Sequence, residues 1–321
     1  MRTQFLNEFF FSFVDESALV RICLFEQQFS DQLYYSLNLI DMKCSFVSVR
    51  RPLILGLLGC LVLSSSSANA AEASAEPDRS PQNIGTVLVF SGTGWYRHPE
   101  VPALSGWLAR RSSDLKLQVD VTEDPNDLVK MIDRYKVLVL NNCTEMTAIL
   151  DEEKREKIEQ WYEAGGGIVA LHASLVRQTK WEWFNALAGC DFDSDSEFLE
   201  AKIVVDPAAK KHPTVRGHGS MFRYSADWTN HDRSVTGLEG FQVLLRVDET
   251  SYEPVRKLFQ DRGGKAMGKD HPIAWLHTNG GGRFFYTELG HDVRSLSTPF
   301  ARQHIVEAIR WAAGLKPITG Y

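Results

Sequence analysis

Short apolar runs and amphipathic segments alternate along the chain from residue 86 onward. Several runs carry the apolar pattern of buried β-strands: 86–90, 117–121, 136–140, 168–171, 202–205, 242–247, 273–276 and 283–287. Other segments space their apolar residues as helices do: 101–111, 124–132, 151–164 and 299–313. Strands that alternate with helices are typical of a parallel sheet, because the crossover helices pack against its faces. The pattern therefore predicts an α/β protein, with helices on both faces of a parallel sheet.

The stretch 208–235 interrupts this alternation. It is polar, it holds three of the nine histidines, and we expect it to form insertions over the mouth of a pocket. No low-complexity break follows residue 85, so residues 85–315 are predicted to form a single domain. The preceding segment 71–84 is rich in Ala, Glu, Ser and Pro, which is typical of a linker.

An export signal is predicted at residues 42–70. Two arginines precede the apolar run 52–63, which is followed by serines and small residues, with cleavage expected after Ala70. Met42 would be a normal start for such a signal, so residues 1–41 are interpreted as a mis-assigned upstream extension. The mature protein is therefore expected to be periplasmic or secreted, without stable membrane insertion.

Two other interpretations of the run 52–63 are open. A membrane anchor would need about twenty apolar residues, and this run is much shorter. A lipoprotein would carry its lipid on Cys60, but the strongly apolar residues directly after Cys60 argue against a lipobox.

Charge and cysteine content exclude further classes of protein. The net charge is −6, and no basic stripe interleaved with aromatic residues is present, so no nucleic-acid partner is expected. Of the five cysteines, only Cys143 and Cys190 lie beyond residue 70, so at most one disulfide could form there. A small disulfide-rich scaffold is therefore excluded.

Three histidines follow separate predicted strands at their carboxyl ends. His172 comes directly after the run 168–171, and His98 and His291 lie in the loops that follow two other runs. The carboxyl edge of a parallel sheet is where α/β proteins bind ligands, so the three imidazoles are expected to share a pocket. Neutral imidazoles suit a divalent metal such as Zn²⁺, or acid–base catalysis. The alternative is that each histidine only caps a strand or binds a loop.

The other histidines are expected to be structural. His212, His218 and His231 lie in the polar stretch 208–235, where solvated loop residues are the simpler interpretation. His271 precedes the run 273–276, and the start of a strand is expected at the end opposite to the ligand edge.

The chain shows no clear covalent nucleophile. Class I glutamine amidotransferases place a cysteine on the tight turn after a strand, and here that turn holds His172 and no cysteine. Ser174 lacks the flanking glycines, and Cys143 follows its strand without such a turn. Hydrolase chemistry through Ser174 or Cys143 stays open, and glutamine amidotransferase activity is not expected.

A set of motifs in fixed order resembles the ThuA family, which is named for trehalose utilisation. The motifs are GTGWYRH at 92–98, the glycine triplet at 165–167 that leads to His172, HP at 212–213, VDETSY at 247–252, DHPIAW at 270–275 and GRFFYTELGH at 282–291. The resemblance covers residues 86–315. It implies a flavodoxin-like fold of the class I glutamine-amidotransferase type and a role in sugar or keto-sugar metabolism.

The resemblance also implies site residues. The family's histidines correspond to His98, His172 and His291, as metal ligands or catalytic groups. Its aspartate–glutamate pair corresponds to Asp248 and Glu249, as supporting carboxylates. Relatives commonly have a tyrosine where this chain has Thr229, within the sequence DWTN at 227–230. Without that aromatic hydroxyl, a role of this segment in ligand stacking or proton transfer is not expected to carry over.

Trp95, Tyr96, Arg97 and Asp227 are the candidate ligand-binding residues. Flat rings on a glycine loop give apolar contact to the face of a sugar, and Arg97 can bind hydroxyl or acidic groups. We expect a sugar-active hydrolase, lyase or isomerase, with a divalent metal ion as its candidate cofactor. The alternative is a noncatalytic carbohydrate-binding or accessory protein, and homo-oligomers are compatible with either.

Overall fold

The computed structural model describes residues 86–318, and the predicted upstream extension 1–41, signal peptide 42–70 and linker 71–84 lie outside the described residues. The strands are β1 (Thr86–Phe90), β2 (Gln118–Thr122), β3 (Val137–Asn141), β4 (Gly167–Leu171), β5 (Phe192–Asp195), β6 (Leu199–Val205), β7 (Met221–Ala226), β8 (Thr229–His231), β9 (Gln242–Asp248), β10 (Pro272–His277) and β11 (Arg283–Thr287).

The α-helices are α1 (Val101–Ala109), α2 (Ser112–Leu115), α3 (Pro125–Met131), α4 (Glu152–Glu163), α5 (Glu182–Ala188), α6 (Lys257–Gln260), α7 (Val293–Leu296) and α8 (Pro299–Ala312). Short 3-10 helices span Ile132–Arg134, Met146–Ala148, His172–Leu175, Pro207–Ala209 and Glu249–Ser251.

Local signals set where the longer helices begin. Asp124, Asp151 and Thr298 each precede a helix and accept a hydrogen bond from a backbone N–H in its first turn. Pro125 and Pro299 are the first residues of α3 and α8. Proline has no backbone N–H, and the N–H groups of the first turn have no partner within the helix, so no hydrogen bond is lost there. These signals lie within a few residues, so the predicted starts of α3, α4 and α8 agree with the structure to within one residue.

The main sheet has the strand order β2-β1-β3-β4-β11-β10-β9-β6-β7. The strands from β2 to β11 are parallel to one another, and those from β10 to β7 continue the sheet in antiparallel fashion. β5 and β8 form a separate antiparallel pair. The predicted α/β class is confirmed, and the antiparallel half is an addition that the sequence pattern did not indicate.

The parallel strands are buried on both faces. In β1, Val87 and Val89 belong to one apolar core cluster, whereas Leu88 and Phe90 belong to another. Helices α1 and α8 contribute to the first cluster, and α3, α4 and α5 contribute to the second. Successive side chains of a strand point to opposite faces, so a strand covered by helices on both sides needs a continuous apolar run.

The polar stretch 208–235, which was expected to form insertions, contains two strands that the sequence pattern did not predict, β7 and β8. β7 is the outer strand of the main sheet, and its residues alternate between exposed and buried positions. β8 pairs with β5. An edge strand with one solvated face needs few apolar residues, so its pattern is easily taken for a loop.

Cys143 and Cys190 are buried free thiols. The part of the chain that the structure describes holds no helix with the length and apolar character to cross a membrane.

Candidate active site

Loops at the carboxyl edge of the parallel strands bring His98, His172 and His291 together. One ring nitrogen of each lies within 4.8 Å of those of the other two. The ring centroids of His98 and His172 are 5.1 Å apart, and those of each of the other two pairs are 4.8 Å apart. We call these three residues the histidine cluster.

His172 occupies a strained turn directly after β4. Its φ is +45°, in the left-handed region that favours glycine, and the 3-10 helix His172–Leu175 begins there. A side chain in this conformation costs on the order of 1–2 kcal/mol, and such strain concentrates at functional sites. The turn resembles the elbow on which class I glutamine amidotransferases hold their nucleophile, with an imidazole in place of the thiol.

The loop that carries His98 is held against the loop after β3. The Gly94 N–H donates to the carbonyl oxygen of Thr144 at 2.8 Å, and the Thr144 hydroxyl donates to the carbonyl oxygen of Tyr96 at 2.9 Å. A Cβ on Gly94 would lie only 2.2 Å from the backbone oxygen of Glu145. Glycine is therefore required for the close approach that delivers His98 to the cluster.

His291 is positioned by a contact with the end of β3. The side-chain amide of Asn142 donates to the carbonyl oxygen of Gly290 at 3.0 Å. Gly290 has a φ of +138°, and a Cβ there would lie 3.2 Å from the Cβ of Leu171. The loops after β3, β4 and β11 are therefore tied together at this edge of the sheet.

Two buried carboxylates, those of Asp227 and Glu288, hold the histidine cluster. Asp227 Oδ2 lies 2.7 Å from His291 Nδ1 and 3.5 Å from His172 Nε2. Glu288 Oε1 accepts a hydrogen bond from His172 Nδ1 at 2.8 Å. Glu288 also accepts hydrogen bonds from two hydroxyl groups, those of Thr229 and Tyr286. His172 is thus held from both sides, with Nε2 directed to the cluster.

The charges of the cluster follow from these contacts. Burial disfavours the charged form of His172, but the carboxylates of Asp227 and Glu288 outweigh it and raise the pKa of His172 to about 9. Burial also disfavours charged Asp227 and Glu288, yet His172 holds the pKa of each carboxyl below its usual range. At neutral pH these groups form an imidazolium between two carboxylates.

His98 has the opposite electrostatic character. Burial, reinforced by His172 and His291, lowers the pKa of His98 to about 2, so its imidazole is neutral. Among the described residues, His98 Nδ1 and Asp227 Oδ1 are buried without a hydrogen-bond partner. Buried polar atoms usually have a hydrogen-bond partner, so both atoms retain the capacity to bind a polar ligand or an ion.

A pocket of about 320 Å³ opens against the cluster. His98 and His172 form part of its wall. Trp95 and Tyr96, whose exposed fractions are 55% and 51%, lie at its rim. The volume is at the lower end of the range for small-molecule sites. A wider depression of about 610 Å³ lies at the amino ends of β3, β4 and β11, but none of its lining residues is a histidine.

Arg97 and Asp248 do not join the cluster. An Arg97 Nη2 atom lies 2.6 Å from Oε1 of Glu123, and Nη1 donates to the carbonyl oxygen of Ser91. Asp248 forms an ion pair with Lys202. Both side chains are satisfied by partners on neighbouring strands and loops, and neither lines the pocket.

Glu249 binds His271 instead of the cluster. Its Oε1 lies 2.7 Å from His271 Nδ1, and backbone N–H groups of Met267 and Gly268 donate to the same carboxylate. His271 Nε2 donates to the carbonyl oxygen of Thr229 at 2.8 Å. The prediction that His271 lies opposite to the ligand edge is wrong, because β10 is antiparallel to β11 and begins where β11 ends.

Ser174 and Cys143 are core residues. The Ser174 hydroxyl donates to the carbonyl oxygen of Leu140 at 2.8 Å and accepts from the Cys143 N–H at 3.1 Å. The Cys143 side chain is fully buried, and burial raises the pKa of its thiol. Neither residue lines the pocket, so neither is placed to attack a ligand there.

The sequence model of the ThuA family, described as trehalose utilisation, matches residues 86–312. The chain belongs to the ThuA family. The histidine cluster and both of its carboxylates lie inside the matched range of this ThuA chain. A search of the curated proteins finds no match.

Solved ThuA-like structures share the fold. A protein from Bacteroides uniformis is 21% identical, with a TM-score of 0.58, and the match covers 77% of this chain and 95% of that one. A protein from Parabacteroides merdae is 18% identical, with a TM-score of 0.55 and coverages of 74% and 92%. Both likenesses show that this chain shares the α/β fold of solved ThuA-like proteins.

Glu288 was missed as a site residue by reasoning from the sequence. Its signal was present, because Glu288 directly follows the predicted strand 283–287 and precedes His291 by three positions. Asp195, which lines the pocket, was missed for another reason. It ends β5, which pairs in the described part of the chain with β8 alone, and the polar sequence of β5 does not resemble a strand.

Proposed function

We propose that this protein is an exported, metal-assisted enzyme that acts on a sugar or keto-sugar. His98, His172 and His291 hold a divalent ion such as Zn²⁺, and the adjoining pocket binds the substrate. The observation that carries this proposal is the convergence of three imidazoles from distant loops, with two buried carboxylates, at the ligand edge of the sheet.

The spacing of the ligand atoms supports the metal. Nitrogen and oxygen ligands bind Zn²⁺ at about 2.0–2.2 Å, so neighbouring ligands in a tetrahedral site lie roughly 3.4 Å apart. His172 Nε2 lies 3.0 Å from His291 Nδ1 and 3.5 Å from Asp227 Oδ2. The Asp227 Oδ2 to His291 Nδ1 distance is shorter, at 2.7 Å, and the ring nitrogens of the cluster spread over up to 4.8 Å, so the side chains would have to move to surround an ion.

The donors around the ligands also fit a metal site. Glu288 accepts from Nδ1 of His172, so a metal that displaces the Nε2 proton would meet a lone pair directed to the cluster. Metal-binding histidines are commonly oriented by a carboxylate in this way. His98 is neutral and has an unpartnered nitrogen, and Asp227 has an unpartnered oxygen, so both retain capacity to bind.

The residues divide the work on a bound sugar. A divalent ion would polarise a carbonyl or hydroxyl oxygen of the substrate. Trp95 and Tyr96 contact the apolar face of the ring. Asp227, beside the cluster, is the carboxylate that accepts or returns a proton. The sugar class is supported by the description of the ThuA family as trehalose utilisation.

Export is supported by the sequence of residues 42–70, with its basic start, apolar centre and small residues before the expected cleavage site. Amino-terminal sequencing of the protein recovered from cells tests this part separately. A mature protein that begins near residue 71 is expected, and a mature chain that retains residues 1–41 would overturn it.

The second candidate is a noncatalytic carbohydrate-binding protein. It is favoured by one observation, the imidazole of His172 on a turn where amidotransferases hold a thiol, which is compatible with a scaffold that lost its nucleophile. Turnover separates the two candidates, because a binding protein gives saturable ligand affinity without product.

Zinc binding and turnover test the main proposal. The wild-type protein, freed of metal by a chelator, is titrated with Zn²⁺ and compared with His98→Gln and His291→Gln. His218→Gln is the matched control, because His218 bonds Gln303 and belongs neither to the cluster nor to the pocket wall. We expect one ion per chain for the wild type and the control, and loss of binding in both cluster variants. Equal binding by all four proteins would refute the metal site.

A further inference from the structure

One wall of the pocket carries two arginines, Arg256 and Arg262. Both arginines line the same cavity as His98 and His172. They lie on either side of α6, which also places Phe259 in the wall. We call Arg256 and Arg262 the arginine wall. The metal cluster does not use it.

Arg256 is fixed before any ligand arrives. Its Nε lies 2.5 Å from Oδ1 of Asp195, and its backbone N–H donates to the carbonyl oxygen of Asp195 at 2.9 Å. Its guanidinium group lies over the ring of Phe259, 4.8 Å from the centroid. Among the described residues, its two terminal amino groups have no hydrogen-bond partner. A guanidinium held in this way keeps its outer fork available for a bidentate acceptor.

Arg262 adds a positive charge that the described part of the chain does not neutralise. The residue is exposed, and no carboxylate of that part lies within ion-pair distance of its guanidinium. Arg177 and Lys180 share the carboxylate of Glu145, and Arg97 pairs with Glu123, whereas Arg262 has no such partner in the described part of the chain. Arg262 therefore adds a positive charge to the arginine wall that no ion pair offsets.

The carboxylates near this wall are held by other groups or face away from its outer fork. Asp227 and Glu288 contact His291 and His172. Asp195 contacts only the inner Nε of Arg256. Burial, with further contributions from Asp227 and Glu288, raises the pKa of Asp195 to about 7, although Arg256 opposes this shift, so Asp195 neutralises Arg256 less fully than an ordinary carboxylate would.

We propose that the arginine wall is a binding site for an anionic group, a carboxylate or a phosphate, on the sugar substrate. This inference rests on the proposed function and narrows its substrate class to acidic sugars. The anionic group binds the outer fork of Arg256 and the guanidinium of Arg262. The other end of the sugar then lies toward His98 and His172, with Trp95 and Tyr96 beside its ring.

Calorimetric titration of the zinc-loaded protein tests this proposal. The probes are D-glucuronate, D-glucose 6-phosphate, D-glucose and inorganic phosphate. We expect at least one of the two acidic sugars to bind roughly tenfold or more tightly than glucose, because charge-assisted hydrogen bonds are the stronger ones. The acidic sugar that binds more tightly identifies the carboxylate or the phosphate as the preferred group.

Two variants assign the preference to the wall. Arg262→Gln changes an exposed side chain. We expect it to lower the affinity for the acidic sugar roughly tenfold and to leave the affinity for glucose unchanged. Arg256→Lys keeps the charge but removes the fork, and is expected to reduce the preference in the same direction. Arg223→Gln is the control, because Arg223 pairs with Glu200 on the strand edge away from the pocket.

The outcomes separate this inference from the proposed function. If glucose binds as tightly as both acidic sugars, or if neither wall variant changes the preference, the anionic site is refuted and the metal-assisted sugar enzyme stands. The anionic site for an acidic sugar is also refuted if inorganic phosphate binds as tightly as glucose 6-phosphate, because the sugar ring then adds nothing to the affinity. If no sugar binds at millimolar concentration while zinc still binds, both the anionic site and the sugar substrate are refuted.

Discussion

Glu288 accepts a hydrogen bond from Nδ1 of His172 at 2.8 Å, and both side chains are buried. The contact orients the imidazole of His172, because Nδ1 is held by Glu288 and Nε2 is therefore the atom that faces the cluster. The strained turn at His172 and the end of β11 are thereby coupled, although 116 positions separate the two residues in sequence.

Glu288→Gln is expected to weaken zinc binding by roughly 10- to 100-fold. The amide keeps the shape of the side chain but lacks the charge that makes His172 a stronger ligand and orients its ring. Titration with Zn²⁺ measures the change. Glu249→Gln removes a carboxylate that binds His271 outside the cluster, so its zinc affinity should stay within about threefold of wild type. Similar losses in the two variants would contradict a specific role for Glu288.

His172→Gly is expected to be more stable than His172→Ala by about 1 kcal/mol. Both variants lose the imidazole, but only alanine pays the steric cost of a φ near +45°. Urea denaturation measures the difference. Glu156 provides the matched control at an exposed position inside α4, where Glu156→Gly should be less stable than Glu156→Ala by about 1 kcal/mol. The same order at both positions would show that the turn at His172 is not strained.

Gly94→Ala is expected to weaken zinc binding roughly tenfold or more without unfolding the protein. The new Cβ would collide with the backbone of Glu145, so the loop that carries His98 must move. Gly106→Ala is the control, because Gly106 lies in α1 and a Cβ there meets only the flexible end of Arg110. The control should keep zinc affinity and gain about 0.5–1 kcal/mol of stability from helix propensity.

The protein is expected to lose stability as pH falls below about 6.5, with a measurable contribution from His304. This fully buried side chain bonds the carbonyl oxygen of Thr214 and the hydroxyl of Thr287. Burial lowers the pKa of His304 to about 3. As pH falls below about 6.5, His304 therefore becomes protonated in the unfolded chain but stays neutral in the folded protein.

The size of this effect follows from the two pKa values. At pH 5, protonation of His304 in the unfolded chain lowers the free energy of unfolding by about 2 kcal/mol relative to pH 7. His304 contributes no further loss of stability once pH falls below about 3. Urea denaturation of wild type and His304→Gln at pH 7 and pH 5 measures the difference. The variant should lose about 2 kcal/mol less on acidification, and an identical loss in both proteins would contradict the assignment.

The parallel half of the fold was predictable because its signals are local. Each apolar run of four or five residues marks a strand buried on both faces, and the caps at Asp124, Asp151 and Thr298 mark helix starts. The antiparallel half was harder, because strands with one solvated face, such as β7, carry polar residues at alternate positions.

The candidate site was predictable in part. His98, His172 and His291 were found because each follows a strand of the parallel half, and such ends share one edge of the sheet. Asp248 and Glu249 also follow a strand on that edge, yet their side chains bind Lys202 and His271. Which carboxylate reaches the histidines depends on contacts between chain segments that the sequence keeps far apart.

The amino-acid sequence by itself determined the α/β class, the membership of the ThuA family and the edge of the sheet at which the histidines gather. Tertiary structure alone decided that Asp227 and Glu288 hold the cluster and that His271 lies near it. The physical reason is the direction of the strands, because a reversed strand such as β10 brings its first residues, not its last, to the ligand edge. Strand order and direction arise from packing across the whole sheet, which no local pattern of residues specifies.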